Sequence, residues 1–226
     1  ADMPSLLPHG DVETFFHEFG HVLHSVLTKT KLSSQSGTSV SRDFVEAPSQ
    51  IFENWTWNYE SLKLFANHYK TGEVLPKELF DKMLAAKNVG SGLAYTQQVY
   101  YGILDFTLHD KYDPTSSEPI VEVMKGLQNK ITLYPYLEGT QMFASFGHLM
   151  GYAAGYYSYL WALVYADDMF SIFDKNGLMD KTTGLKYRDI ILANGSSRDE
   201  LEMVVEFLGR QPNQDAFFKS IGLSTN

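Results

Sequence analysis

The chain has no cysteine among its 226 residues. That excludes disulfide staples, thiolate metal sites and cysteine nucleophiles. Basic residues are also scarce, with 18 Lys and Arg against 27 Asp and Glu, a formal charge of −9. No basic run or stripe interrupts that balance, so no nucleic-acid partner is expected, because phosphate binding draws on clustered cations. No apolar stretch approaches the ~20 residues that a bilayer-spanning helix needs, and no membrane association is expected. The first residues, ADMPSLLPHGD, lack a charged start followed by an apolar run and do not form a secretory signal. They lead abruptly into a motif-rich segment, which carries the expectation that an N-terminal portion of the protein lies outside this sequence.

Apolar residues make up 44% and charged residues 20%, the balance of a soluble globular protein with one substantial core or two small ones. Tyr (14) and Phe (15) far outnumber Trp (3), so large rings fill the core or line a cleft. Helical periodicity dominates and alternating strand patterns are few. A first helix is predicted from Asp11, a good N-cap, to about Thr28, carrying Phe15, Phe16, Phe19, Val22, Leu23 and Val26. Residues 31–42 are rich in Ser, Thr and Gly and read as a loop. A second helix is predicted from Asp43 to about Tyr69, with Pro48 in its first turn or two, where a missing N–H costs least. Further helices are predicted at 77–88, 93–111, 117–130, 152–174, 181–193, 198–208 and 213–221. Segment 133–151 holds Pro135, Gly139, Gly147 and Gly151 and reads as an irregular loop. The expected class is mostly α, with at most a few short strands.

His17-Glu18-Phe19-Gly20-His21 is an H-E-x-x-H motif inside the first helical pattern. At ~100° per residue its two histidines lie about 40° apart and one turn along the same face. Two imidazoles so placed can reach one zinc at about 2.0–2.1 Å. Glu18 lies about 100° round from His17, at the edge of that face, where it can touch the attacking water without taking the metal. A hydrolytic zinc site also needs a third protein ligand and an open position. His24 faces the same way but lies about 10 Å up the axis from His17, so it reads as a supporting or core residue. Glu46 and Glu53, seven residues apart, would share one face of the second helix. Either can ligate while the other holds a ligand histidine from behind; spacing leaves that choice open.

HEFGHVLH at 17–24 and DFVEAPSQIFENW at 43–55, followed by FGHLMGYAAGYYSYLW at 146–161 and FLGRQP at 207–212, resemble the thimet oligopeptidase, neurolysin and oligopeptidase A family of zinc metallopeptidases. The resemblance covers essentially the whole chain. It implies a zincin-like catalytic domain, with residues 1–226 as its zinc-bearing C-terminal part and one Zn(2+) per chain. It implies that the Glu before Ala-Pro-Ser-Gln, here Glu46, is the third ligand beside His17 and His21, which leaves Glu53 the supporting role. Family members are about three times this length, and an N-terminal helical region closes a channel over the zinc. The implied partners are therefore short peptides and that N-terminal region, and the implied compartment is the cytoplasm.

Tyr152, Tyr156 and Tyr159 stand at i, i+4 and i+7, a spacing that on one helix places three phenols on one face. Such stripes are commonly core, but each buried hydroxyl needs a partner, which a cleft with substrate carbonyls supplies. The resemblance assigns substrate binding and oxyanion stabilisation to His148, Tyr152 and Tyr159, with Tyr156 also a substrate-binding candidate. The chain reads His-Leu-Met-Gly-Tyr at 148–152, one Gly fewer than thimet oligopeptidase and neurolysin have between that His and Tyr. His9, His68 and His109 match no motif and read as surface or satisfied histidines.

The expected chemistry is metal-assisted hydrolysis of peptide bonds, with Glu18 as general base and then acid. Endopeptidase and dipeptidyl carboxypeptidase action both fit. Two rivals belong to other classes. A di-iron carboxylate bundle would use Glu18 and His21 as one of two E-x-x-H pairs, and the chain has no second pair. A zinc- and peptide-binding module without turnover would leave Glu18 idle.

Overall fold

The computed structural model describes residues 4–223. Its helices run in the order α1 His9–Val26, α2 Ala47–Glu53, α3 Tyr59–Leu62, α4 Lys77–Ala86, α5 Ser91–Phe106, α6 Ile120–Ile131, α7 His148–Gly151, α8 Ser158–Asn176, α9 Lys181–Tyr187, α10 Glu200–Leu208 and α11 Asp215–Ser220. Among the described residues there is no strand beyond one isolated antiparallel bridge, Asn67 to Val74. The fold is mostly α, as the periodicity predicts. No helix of the described residues is long and apolar enough to cross a membrane.

The chain divides into two compact units, residues 1–88 with 162–226 and residues 89–161. The first is built round Ile51, Trp55, Met169, Phe173, Tyr187, Ile191, Met203, Val204 and Phe207. Trp55 meets Phe170 and Phe173 edge-on, each ring 5.1 Å away. In the second, α5 packs on α6 through Tyr100, Leu104 and Met124, with Tyr136 closing the cluster.

Helix α1 begins directly after Pro8, a residue whose fixed φ suits the approach to a first turn, and Asp11 sits in that turn against the positive end of the helix. Asp11 is therefore inside the helix, not its cap. The predicted second helix is a correction. Residues 43–46 are turns, and α2 starts at Ala47 with Pro48 in its first turn, where no N–H is missed. It tightens into a 3₁₀ turn at Asn54–Trp57 and stops. Asn58 is extended, and its side-chain oxygen accepts from the amides of Glu60 and Ser61, opening α3 as a new helix.

The predicted helix from residue 152 is corrected too. Tyr152 ends the short α7, and α8 does not begin until Ser158. Between them Ala154 adopts a left-handed conformation (φ 56°), which no helix interior accommodates. The buried Asp105 carboxylate on α5 holds that break open, accepting from the amides of Ala154 at 3.2 Å and Tyr156 at 2.8 Å. In the first unit, Arg210 of the Phe-Leu-Gly-Arg stretch pairs with the buried Asp168 of α8. The same carboxylate accepts the Asn213 amide at 2.8 Å. That motif ties the C-terminal segment to the core.

Candidate metal centre

Helices α1 and α2 pack against each other at Gly20. A Cβ added there would stand 2.6 Å from Ser49 Cα, 2.9 Å from a Phe52 ring carbon and 3.1 Å from the Pro48 carbonyl. Only a residue without a side chain lets the two backbones approach this closely. Glycine between Phe19 and His21 is thus a geometric condition for the site, which motif reading overlooked. Its signal was a glycine in mid-helix, a position that costs ~1 kcal/mol relative to Ala and usually has a packing reason.

The crossing brings Glu46 to the two histidines. Glu46 is the N-cap residue of α2, and its side chain makes no capping bond. Its carbonyl is pinned by the Ser49 hydroxyl at 2.8 Å and the Gln50 amide at 2.8 Å. The free carboxylate turns towards α1, with Oε2 3.2 Å from His17 Nε2 and 3.2 Å from His21 Nε2. One ligand atom from each of His17, His21 and Glu46 falls within 4.8 Å of the others. Glu53 takes a different place: its Oε1 lies 2.6 Å from His17 Nδ1, on the far side of the ring. The two carboxylates that spacing could not rank therefore sit on opposite edges of His17.

The charges of this cluster fit a cation. Burial lowers the His17 pKa, but Glu46 and Glu53 outweigh it and raise it to about 9. Burial raises the Glu46 pKa, and the two imidazoles overcome this and hold it at about 2. Burial also lifts the Glu53 carboxyl above its ordinary value against the pull of His17, with Glu13 and Asp167 adding to the rise. With Glu53 accepting from Nδ1–H, the raised pKa keeps positive charge on His17 between the two carboxylates, a place that a cation on the Nε2 side can take over. Buried Glu46 Oε2 has no well-directed hydrogen bond to any described group. The two histidine nitrogens each stand 3.2 Å from Glu46 Oε2, close to the ~3.4 Å separation of donors on one tetrahedral ion with 2.0–2.1 Å bonds. The donor set fits a divalent metal.

Glu18, one residue after His17, is exposed, and its side chain has no hydrogen bond or ion pair among the described residues. His24 is fully buried, and neither ring nitrogen has a hydrogen-bond partner among the described residues. Burial, with a smaller push from His21, lowers its pKa to about 4, so it is neutral. His21 Nδ1 is likewise buried without a described partner.

In the second unit the phenols do not share one helix face, yet they gather round His148. Its ring lies 5.6 Å from Tyr152, 5.2 Å from Tyr156 and 5.8 Å from Tyr159. Tyr152 and Tyr159 stack at 5.8 Å. Tyr159 Oη lies 3.4 Å from His148 Nε2, and Tyr156 Oη donates to Gln98 Oε1 at 2.8 Å. The loop that gathers them depends on Asp105, a residue singled out by no motif.

Comparison with known proteins adds a relationship to this geometry. The model for peptidase family M3 matches residues 1–223. Oligopeptidase A of Salmonella typhimurium is 43% identical over 223 residues, covering 97% of this chain and 33% of that protein. The thimet-like oligopeptidase of Dictyostelium discoideum is 44% identical over 223 residues, again 97% and 33% of the two chains. Saccharolysin of Saccharomyces cerevisiae is 41% identical over 227 residues, covering 98% of this chain and 32% of its own. The chain spans about a third of the length of these curated relatives.

Proposed function

The chain belongs to peptidase family M3, and on that premise we propose that it carries the catalytic centre of a zinc-dependent oligopeptidase acting on short peptides. The observation that carries the proposal is the convergence of His17, His21 and Glu46, with Glu53 behind His17. Those three residues would hold one Zn(2+) per chain. On this reading residues 1–226 are the zinc-bearing C-terminal part of the enzyme, its partner is an N-terminal helical region, and its compartment is the cytoplasm.

Zinc, when bound, polarises the scissile carbonyl and makes water more acidic at neutral pH. The chain's own residues do the rest. Glu53 accepts the His17 Nδ1 proton, which fixes the tautomer and aims Nε2 at the Glu46 side. Glu18, exposed beside His17, takes the proton of the attacking water and later delivers it to the leaving amine. To Tyr159, with Tyr152 and His148, we assign donation to the tetrahedral oxyanion, a role worth several kcal/mol in such sites, and to Tyr156 a part in substrate binding. Endopeptidase and dipeptidyl carboxypeptidase action use these same groups.

The test is hydrolysis of a quenched-fluorescence peptide by the chain, with and without a chelator, together with Glu18→Gln. Chelator-sensitive cleavage is expected, and Glu18→Gln is expected to retain zinc while losing at least 10²-fold in kcat. Zinc binding without cleavage by the unaltered chain would favour a peptide-binding role instead. Undiminished cleavage by Glu18→Gln would remove Glu18 as the base.

A further inference from the structure

One face of α5 carries Gln98, Tyr101, Gly102 and Asp105, at i, i+3, i+4 and i+7, and the segment between α7 and α8 lies along it. Asp105 is fully buried. Its Oδ1 accepts the Ala154 amide at 3.2 Å and stands 2.9 Å from His109 Nδ1, while its Oδ2 accepts the Tyr156 amide at 2.8 Å. The Tyr157 backbone rests on Gly102, where an added Cβ would stand 3.5 Å from Tyr157 Cα. Further along the face, the Tyr156 phenol donates to Gln98 at 2.8 Å. Tyr101 packs ring to ring with Tyr156 at 5.6 Å and with Phe146 at 5.0 Å, and Phe146 meets His148 at 5.2 Å.

We infer that Asp105 is a positioning residue for peptide binding: it holds residues 152–157 out of a helix and so forms the ring cluster of His148, Tyr152 and Tyr159 before a peptide arrives. The inference rests on reading that cluster as peptide-binding. The physical reason is competition. The helical pattern from residue 152 runs on into α8, and the left-handed turn at Ala154 (φ 56°) interrupts it. An alanine in that conformation is strained, and it persists where surrounding groups fix it. A continuous helix would instead line Tyr152, Tyr156 and Tyr159 along one face, dissolving the arrangement in which Tyr152 and Tyr159 stand 5.6 and 5.8 Å from the His148 ring. A carboxylate suits the task because both its oxygens accept, whereas an amide of the same shape turns an NH2 on one of the two N–H donors. Loss of the Asp105 carboxylate therefore lowers the share of molecules with a formed cluster, and apparent affinity falls with that share.

Binding of a fluorescein-labelled short peptide, read by anisotropy on the chain carrying Glu18→Gln to suppress turnover, tests this beside amide exchange at residues 154 and 156. Asp105→Asn should weaken peptide binding about ten-fold, as when a hydrogen bond to a charged acceptor is lost, and speed exchange at both amides. Ala154→Val, a β-branched residue that resists positive φ, should do the same without touching the carboxylate. Zinc content should hold in both, since His17, His21 and Glu46 belong to the other unit. Adding Ala154→Gly to Asp105→Asn should recover part of the loss, because glycine takes the left-handed conformation without strain; lost packing would not be repaired by a glycine. With Glu18 present, the loss should appear in KM while kcat holds, because bound peptide restores the cluster. Asp113→Asn, on an exposed turn, should change nothing. Unchanged peptide affinity in both Asp105→Asn and Ala154→Val would overturn the inference. So would a loss that Ala154→Gly leaves in full, or one confined to kcat. Failure of the Glu18→Gln chain to bind the peptide at all would instead overturn the peptide-binding reading beneath it.

Discussion

Replacing Gly20 with alanine tests how the fold builds the site. The new Cβ would meet Ser49 Cα at 2.6 Å, whereas ordinary contacts begin near 3.4 Å, and the opposing atom is backbone that cannot rotate away. Helices α1 and α2 must therefore part by about 0.8 Å, an overpacking strain of roughly 1–3 kcal/mol. Alanine's better helix propensity returns about 1 kcal/mol, so the net loss of stability is modest, about 0–2 kcal/mol. The metal site feels the movement more directly. Glu46 rides on α2 and the histidines on α1, and their 3.2 Å spacings leave little slack. A site loosened by nearly 1 Å is expected to lose about 10–100-fold in zinc affinity. Isothermal titration or chelator competition reads that loss, and thermal unfolding of the metal-free protein reads the stability term. Gly126→Ala in α6, where nothing lies within 4 Å, should leave zinc binding unchanged and raise stability by roughly 0.5–1 kcal/mol. Unchanged zinc affinity in Gly20→Ala would refute the claim that this glycine sets the helix approach.

Two further predictions concern stability. The folded His24 pKa, about 4, lies below its ordinary 6.5, so the unfolded chain binds the extra proton and acid favours unfolding. The stability associated with neutral His24 is complete above pH 6.5 and is lost as pH falls towards 4, by about 3 kcal/mol in all. Metal-free unfolding at pH 7 and pH 4.5 should show a shallower acid loss in His24→Leu, and an unchanged slope would contradict this. Arg210→Ala strands the Asp168 carboxylate, which is 1% exposed. Because the Arg210 side chain is itself 41% exposed, the cost should fall at or below the lower end of the buried-pair range, about 2–3 kcal/mol. Denaturant unfolding would show it, and a loss under ~0.5 kcal/mol would mean water already serves that carboxylate.

Much of the fold was legible in the sequence, and the unread parts share a cause. Helix α1 announces itself by period alone, within two residues at each end, and Pro48 marks the first turn of α2. The breaks at Asn58 and Ala154 are different. Asn58 competes with a helical pattern that runs straight through it. Ala154 is unwound by a carboxylate 49 residues away on another helix, and local propensity carries no trace of such a partner. In the site, spacing named His17 and His21 as a pair but could not order Glu46 and Glu53. That order comes from the α1–α2 crossing, which hangs on Gly20 and places the two carboxylates on opposite edges of His17.

Zinc content after dialysis, measured by elemental analysis on the unaltered chain and on His17→Ala, His21→Ala, Glu46→Ala and Glu53→Ala, probes the proposed centre most directly. One zinc per unaltered chain is expected, with essentially none retained by the first three variants and weakened but measurable binding in Glu53→Ala. Full zinc retention by Glu46→Ala, with loss in Glu53→Ala, would reverse the two carboxylates and contradict the account.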